Sequence, residues 1–262
     1  MPRFAANLTM LFTEVEFLDR FALAAAAGFK GVEYLFPYDY PSRVLVERLN
    51  EFGLQQVLHN LPAGEWERGE RGIACLPDRR EEFRQGVEQA IEYARALGCP
   101  RLNCLAGIRP DGLDEEEARA TFIENLRYAA GRLAEHDLQL LIEPINTQDI
   151  PGFFLCHTAQ AMEIIRAVGV ENLALQYDIY HMQIMEGNLA QTIERLLPHI
   201  GHMQLADNPG RHEPGSGEIH YPFLFRHLDA IGYSGWIGCE YNPLNDTQSG
   251  LGWVQPYLAG DV

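Results

Sequence analysis

The chain has 262 residues, of which 47% are hydrophobic and 22% are charged, and its formal net charge is −17. These proportions are typical of a globular enzyme, and a single α/β barrel commonly occupies about 250 residues. We therefore expect one domain covering residues 1–262. The acidic balance disfavours a nucleic-acid partner, because affinity for a polyanion depends on lysine and arginine neutralising phosphates.

The five cysteines form no C-x-x-C pair, and their odd number fits poorly with a disulfide framework. We interpret them as reduced thiols. The first residues, MPRFAANLTMLF, lack the basic and apolar regions of a signal peptide, and no apolar run has the length of a membrane span. The sequence thus predicts a cytoplasmic protein without a membrane partner.

Short apolar runs alternate along the chain with longer amphipathic stretches. The predicted strands are residues 3–9, 30–36, 54–61, 100–107, 138–144, 172–178, 200–207 and 235–241. The predicted helices are residues 15–29, 42–53, 81–98, 114–137, 158–169, 188–200 and 221–232, and a Gly-rich, charged insertion covers residues 62–78.

Several predicted helices end at a glycine just before the next strand, a stop signal that suits the left-handed C-cap. These are Gly28, Gly53, Gly98, Gly169 and Gly232. The repeated strand–helix unit predicts a single (β/α)₈ TIM barrel. The alternative is a doubly wound open sheet, which would be expected to carry a Gly-rich phosphate loop after its first strand; the chain has none there.

Four predicted strands in the second half of the chain carry a potential metal ligand at or near their ends: Glu143, Asp178, Gln204 and Glu240. In a parallel barrel such residues meet at one rim. Each residue also has a purely structural alternative. The glutamates could form ion pairs, and Asp178 could be a turn or N-cap residue. Gln204 could be a buried glutamine that supports the barrel by hydrogen bonding. The coincidence of four favours a shared site, and three carboxylates with one amide oxygen suit Mg²⁺ or Mn²⁺.

The chain resembles the hydroxypyruvate isomerase family of the xylose-isomerase-like barrels. The resemblance rests on FKGVEYLFPYDY, LHNLPAGEWERGERGIACLP, LIEPINTQDIPGFFL, LQYDIYHMQ, HMQLADNPGRHEPGSGEI and GCEYNP, which together span almost the whole chain. It implies that Glu143 and Glu240 are metal ligands and also the catalytic pair, and that Asp178 and Gln204 complete the metal site. Relatives that act on free ketohexoses usually have His in place of Gln204, so this departure points towards the hydroxypyruvate branch.

The implied reaction interconverts hydroxypyruvate and tartronate semialdehyde through an enediolate, with a divalent metal and no organic cofactor. A four-carbon 2-oxo-tetronate presents the same α-hydroxyketo acid unit, so a 2-oxo-tetronate isomerase or a related ketose isomerase or epimerase is the alternative. A nuclease of the endonuclease IV type shares the barrel but would need more His ligands and a basic surface. A non-catalytic metal-binding barrel is a further reading.

The remaining site predictions concern the substrate, a small hydroxy-keto acid. Arg211 is expected to hold its carboxylate, with Arg71 as a second candidate, because the guanidinium fork matches two oxygens. The glycines beside Arg71, Gly69 and Gly72, are expected to let that loop move as a lid. Further predicted contacts are His181, His59, Glu33 and Trp66, of which Trp66 closes the pocket or contacts a second copy in a homo-oligomer.

Overall fold

Eight parallel strands form a closed barrel in the computed structural model, which describes residues 2–259. The strands are β1 (Arg3–Asn7), β2 (Gly31–Glu33), β3 (Gln55–Asn60), β4 (Arg101–Cys104), β5 (Gln139–Ile142), β6 (Leu173–Asp178), β7 (Ile200–Leu205) and β8 (Trp236–Cys239). Each pairs with the next in sequence, and β1 also pairs with β8. This closure confirms the TIM barrel and excludes the open sheet.

Helices follow the strands on the outside of the barrel, as the sequence predicts. They are α1 (Arg20–Ala26), α2 (Ser42–Phe52), α3 (Arg80–Leu97), α4 (Glu115–Ala134), α5 (Thr158–Val168), α6 (Ile179–Met185), α7 (Leu189–Leu196), α8 (Tyr221–Ala230), α9 (Thr247–Gly250) and α10 (Gln255–Leu258). Helices α6, α9 and α10 were not predicted from the sequence. None of the helices within residues 2–259 is long and apolar enough to cross a membrane.

The predicted helix stops have a local cause. Gly53, Gly98 and Gly169 are the C-caps of α2, α3 and α5 and adopt left-handed backbone angles that other residues avoid. At the other end, the Asp114 side chain caps α4 by accepting hydrogen bonds from the first-turn amides of Glu116 and Glu117. These signals fix where each helix turns back towards the barrel.

Side chains alternate between the barrel interior and the helix layer along each strand. Ala5, Leu141, Ala174 and Trp236 belong to a small apolar cluster separate from the main core. Each precedes a polar strand-end residue by two or four positions and therefore faces the same way. Apolar side chains thus line part of the barrel interior. The buried polar side chains of Gln176 and His202, each two residues before a strand-end polar residue, also face inward beneath the carboxyl rim. The five cysteines are free thiols, as expected.

Candidate active site

A layer of polar side chains closes the carboxyl end of the barrel. Each strand contributes one, within one residue of its end, and all are at most 7% exposed: Asn7, Glu33, Asn60, Asn103, Glu143, Asp178, Gln204 and Glu240. A cavity of about 720 Å³ opens above this layer. The four predicted metal ligands therefore lie at one end of the fold, at the rim where barrel enzymes carry their active sites.

Glu240 receives three hydrogen bonds. Its Oε1 accepts from Arg211 Nη2 at 2.6 Å, and its Oε2 accepts from Asn7 Nδ2 at 3.0 Å and from Gln204 Nε2 at 2.5 Å. The oxygen of Gln204 accepts from Gln176 Nε2 at 2.6 Å. The amide nitrogen of Gln204, and not its oxygen, thus faces Glu240, and ligation of a metal by Gln204 stays a prediction.

Glu33 is occupied by protein partners. Its Oε1 accepts from Asn7 Nδ2 at 3.0 Å and Gln204 Nε2 at 2.7 Å, and its Oε2 lies 2.7 Å from Nε2 of the buried His202. Glu33 is 1% exposed and is not among the residues that line the cavity in the described chain. The geometry gives it a supporting role beneath Gln204 and Glu240, which differs from the expected contact with substrate.

Glu143, Asp178 and His181 form a buried group whose ligand atoms lie within 4.8 Å of one another. Asp178 Oδ1 accepts the backbone amides of Tyr180 and His181, while Asp178 Oδ2 is buried with no hydrogen-bond partner in residues 2–259. A buried carboxylate oxygen without a donor is costly, and a cation would remove that cost. The donor chemistry of this corner therefore fits a hard divalent ion.

Burial raises the pKa of all three carboxyl groups. The pKa of Glu143 is raised well above its usual range by burial and by the neighbouring Glu240 and Asp178. Burial also raises the pKa of Asp178 and raises that of Glu240 to about 8, although Arg211 opposes both shifts. If all three were ionised, one guanidinium would leave an excess of negative charge, which contributes to the rise of these pKa values and is why a bound divalent cation would favour the ionised forms.

Arg211 is held over the site by its loop. Its backbone lies in the left-handed region at φ +58°, its amide donates to Asp207 O, and its carbonyl accepts from Asn242 N. The guanidinium stacks over the Tyr180 ring at 5.2 Å and lies 3.9 Å from Asp178 Oδ2. Arg211 lines the cavity as predicted, but it is also a direct partner of a catalytic candidate.

Trp66 and Arg71 line the opposite wall of the cavity. Arg71 lies over the Trp66 ring at 4.1 Å and donates to the carbonyl oxygens of Trp66 and Glu70. Gly72 is packed against backbone: a Cβ there would lie 2.4 Å from Leu105 O. The glycine therefore permits a close approach of two chain segments, and the expected lid motion at Gly72 is not favoured.

Replacing Gly72 with alanine should test this packing role. Both Gly72 (φ +114°) and Gly69 (φ +90°) are strained for alanine, at a cost of order 1–3 kcal/mol, but Gly69 has nothing within 4 Å among the described residues. We expect Gly72→Ala to lower the free energy of unfolding in urea by at least about 2 kcal/mol more than Gly69→Ala. If both variants lost the same unfolding free energy, the backbone at Leu105 would move aside for the added methyl group without measurable cost.

His59 lies on the other face of its strand. Asn60 lines the cavity, so the preceding residue points towards the helices, where the His59 ring lies 6.1 Å from that of Tyr38. Burial lowers the pKa of His59 to about 3, so the ring stays neutral. The expected contact of His59 with substrate is therefore not supported, because the pleat directs it away from the cavity.

Several residues that line or support the cavity were not predicted from the sequence. Gln176, Asp149 and Tyr180 line the cavity, and Tyr180 Oη donates to Asp149 Oδ1 at 3.3 Å. Asn103 Nδ2 donates to Glu143 Oε2 at 2.9 Å. Asn7 and Asn103 each interrupt or end an apolar strand, which is the same signal that identified Glu143. That signal could have found them if it had been applied to the first four strands.

Similarity to known proteins identifies the family to which the chain belongs. Residues 21–257 match the family described as xylose isomerase-like TIM barrel. The chain belongs to this family. It is 56% identical over 257 residues to hydroxypyruvate isomerase of Escherichia coli, covering 98% of this chain and 100% of that protein. It is 50% identical over 258 residues to a 2-oxo-tetronate isomerase of Pectobacterium atrosepticum, covering 98% of each.

A solved structure agrees with the fold over nearly the whole chain. The crystal structure titled AP endonuclease, family 2, from Brucella melitensis has a TM-score of 0.96 and 50% identity, covering 98% of this chain and 99% of that one. Relatives at 50% identity or above that are named isomerases make this chain an isomerase of the xylose-isomerase-like family. The enzyme class predicted from the motifs is thereby confirmed.

Proposed function

We propose that this isomerase interconverts hydroxypyruvate and tartronate semialdehyde. The observation that carries the proposal is the pair Glu143 and Glu240, which line one cavity from strands β5 and β8 with Arg211 beside them. The 56% identity to a hydroxypyruvate isomerase supports the choice of substrate. The alternative is a four-carbon 2-oxo-tetronate, favoured by relatives of that name at 50% identity.

The reaction moves one proton between adjacent carbons. One glutamate removes a proton from C3 of hydroxypyruvate, and the electrons form an enediolate between C3 and C2. The other glutamate, protonated at the start, gives its proton to C2, while the hydroxyl proton passes from O3 to O2. Proton exchange with solvent then restores both glutamates for the next turnover. Positioned acid–base groups of this kind each contribute about 10²–10⁴-fold to the rate. No electron leaves the substrate, so the chemistry requires no organic redox cofactor.

Glu143, Asp178, Glu240 and Gln204 would hold Mg²⁺ or Mn²⁺. Such an ion would supply a Lewis acid that offsets the negative charge developing on the substrate. Arg211 holds the substrate carboxylate, and Trp66 with Arg71 shields the cavity from water. His181 holds a proton at the base of the cavity. Nuclease activity is not proposed, because a net charge of −17 opposes binding of a polyanion.

A side-by-side assay tests the substrate and the metal together. Protein stripped with chelator should show less than about a hundredth of the turnover measured with Mg²⁺ or Mn²⁺, because the enediolate charge is then poorly stabilised. The metal should also raise the melting temperature, since it binds only the folded protein. Full turnover by metal-free protein would contradict the metal site.

The same assay ranks the acids by kcat/KM. A higher value for hydroxypyruvate than for 2-oxo-tetronate supports the proposal, and the reverse order selects the four-carbon alternative. The absence of turnover of either acid by folded, metal-loaded protein would overturn both. Gln204→Leu should weaken Mn²⁺ binding, because leucine has no oxygen to offer a metal. It should also lower the melting temperature, because Gln176, Glu33 and Glu240 each lose a buried hydrogen-bond partner.

A further inference from the structure

The side-chain amide of Asn146 has a fixed orientation. Asn146 is fully buried in the loop after β5, and its Oδ1 accepts the backbone N–H groups of Gln148 at 3.0 Å and Asp149 at 2.8 Å. Backbone amides can only donate, so this atom must be the oxygen. The nitrogen then faces Asp149 Oδ2 at 3.1 Å and His181 Nδ1 at 2.7 Å, and both of its hydrogens are used.

This orientation determines where His181 carries its proton. Nδ1 accepts from Asn146 and therefore holds a lone pair. A ring whose Nδ1 accepts a hydrogen bond from Asn146 Nδ2 is neutral and has a single proton. That proton is on Nε2. Nε2 lies 3.7 Å from Asp178 Oδ2 and 4.0 Å from Glu143 Oε1, beyond hydrogen-bond distance of either.

We propose that Asn146 is a positioning residue that fixes His181 as the Nε2–H tautomer, so that His181 donates a hydrogen bond to a substrate oxygen instead of binding the metal. Ligation through Nε2 needs the lone pair that the proton occupies. The Nε2–H group, directed into the cavity that His181 lines, can instead meet an oxygen on which negative charge develops. This inference rests on the proposed function for the identity of that oxygen.

The tautomer can be observed directly by ¹⁵N NMR on histidine-labelled protein, with the signals of His181 assigned from the His181→Gln variant. We expect an unprotonated Nδ1 and a protonated Nε2, and the protonation of both nitrogens should stay the same when Mg²⁺ is added. A protonated Nδ1, or loss of the Nε2 proton on adding Mg²⁺, would overturn the proposal. This readout needs no substrate, so it stands or falls separately from the proposed reaction.

A paired exchange tests whether Asn146 sets the tautomer. Asn146→Asp combined with Asp149→Asn keeps the net charge and exchanges donor and acceptor within the loop, so that a carboxylate faces His181 Nδ1. The proton should then move to Nδ1. Asp149→Asn alone is the matched control, in which His181 should keep its Nε2 proton. If the exchange proves unstable, Asn146→Asp alone provides the same measurement; an unmoved proton in a folded exchange variant contradicts the proposal.

Kinetics show whether the effect passes through His181. Relative to Asp149→Asn, the exchange should lower kcat by about 10²-fold, the typical loss for one donor to a developing anion, without weakening Mn²⁺ binding. In the His181→Gln background, adding Asn146→Asp to Asp149→Asn should change kcat by less than about twofold. An equally large loss in both backgrounds would mean that Asn146 merely supports the loop.

Discussion

Replacing Glu143 or Glu240 with glutamine is expected to lower kcat by at least about 10²-fold, the lower end for losing a positioned acid or base. The amide keeps an oxygen for a metal but cannot cycle a proton. Both side chains line the cavity, and burial raises the pKa of each. For Glu240 the pKa rises to about 8, which suits proton transfer near neutral pH. Turnover should be measured with saturating Mn²⁺, together with the amount of metal bound.

The two variants should differ in stability. Glu240 accepts hydrogen bonds at both oxygens, so an amide nitrogen on either side meets a donor from Arg211 or from Gln204 and Asn7. We expect Glu240→Gln to cost about 1–3 kcal/mol of unfolding free energy through that mismatch. The described hydrogen bond to Glu143 comes from Asn103 alone, which an amide oxygen can still accept. Glu143→Gln should therefore be the less destabilising change.

The exposed Glu163 on α5 provides the control for this chemistry. Glu163→Gln removes a carboxylate of the same kind far from the cavity and should leave kcat within about twofold, since surface substitutions have small effects. If Glu143→Gln or Glu240→Gln keeps near-normal turnover with metal bound, that residue is a ligand only. If a variant loses both turnover and bound metal, it should be titrated with Mn²⁺. Turnover that stays low at full metal occupancy identifies a catalytic role, and turnover that recovers identifies a ligand.

The barrel, and the meeting of four polar strand ends at one rim, could be predicted from the sequence for a physical reason. An apolar strand that ends on a carboxylate or an amide, as at Glu143, Asp178, Gln204 and Glu240, places a group that resists burial at a strand terminus. Parallel strands then bring those termini to one rim. The helix stops were readable for a similar reason, because glycine suits the left-handed C-cap at Gly53, Gly98 and Gly169.

Which side chains point into the barrel could not be predicted from the sequence in the same way. Strand β3 is buried on both faces, so its sequence has no alternation to show whether His59 or Asn60 points inward. Glu33 does point inward, but its partners His202 and Gln204 come from a strand far along the chain. Orientation of the Asn146 amide depends on the folded loop and on two backbone donors, which no residue pattern specifies.

Arg211→Met is expected to raise KM for hydroxypyruvate by at least about 30-fold. A guanidinium that meets a carboxylate in a buried site contributes about 2 kcal/mol or more, which corresponds to that factor. Arg211 faces the cavity with its guanidinium near Glu240 and Asp178, where an anionic substrate would otherwise be repelled. The comparison substrate is uncharged dihydroxyacetone or glycolaldehyde, for which KM should change much less wherever turnover is detectable.

Because Arg211 also donates to Glu240, its removal should have a second, substrate-independent effect on kcat. The carboxylate loses a charged partner, and its pKa rises further, since Arg211 opposes the shift that burial causes. The selective rise in KM for the charged acid therefore identifies substrate recognition, and a kcat loss common to both substrates reports on Glu240. An equal rise in KM for the charged and the uncharged substrate would mean that Arg211 supports only its loop and Glu240.

Arg71→Met is the matched variant on the opposite wall. Arg71 is committed to its own loop, stacked on Trp66 and bonded to two carbonyl oxygens, so we expect it to change KM for either substrate by less than about threefold. If only Arg71→Met produced the loss selective for the charged acid, the carboxylate would be anchored by the Trp66 loop, and the Arg211 guanidinium would serve to balance Glu240 and Asp178.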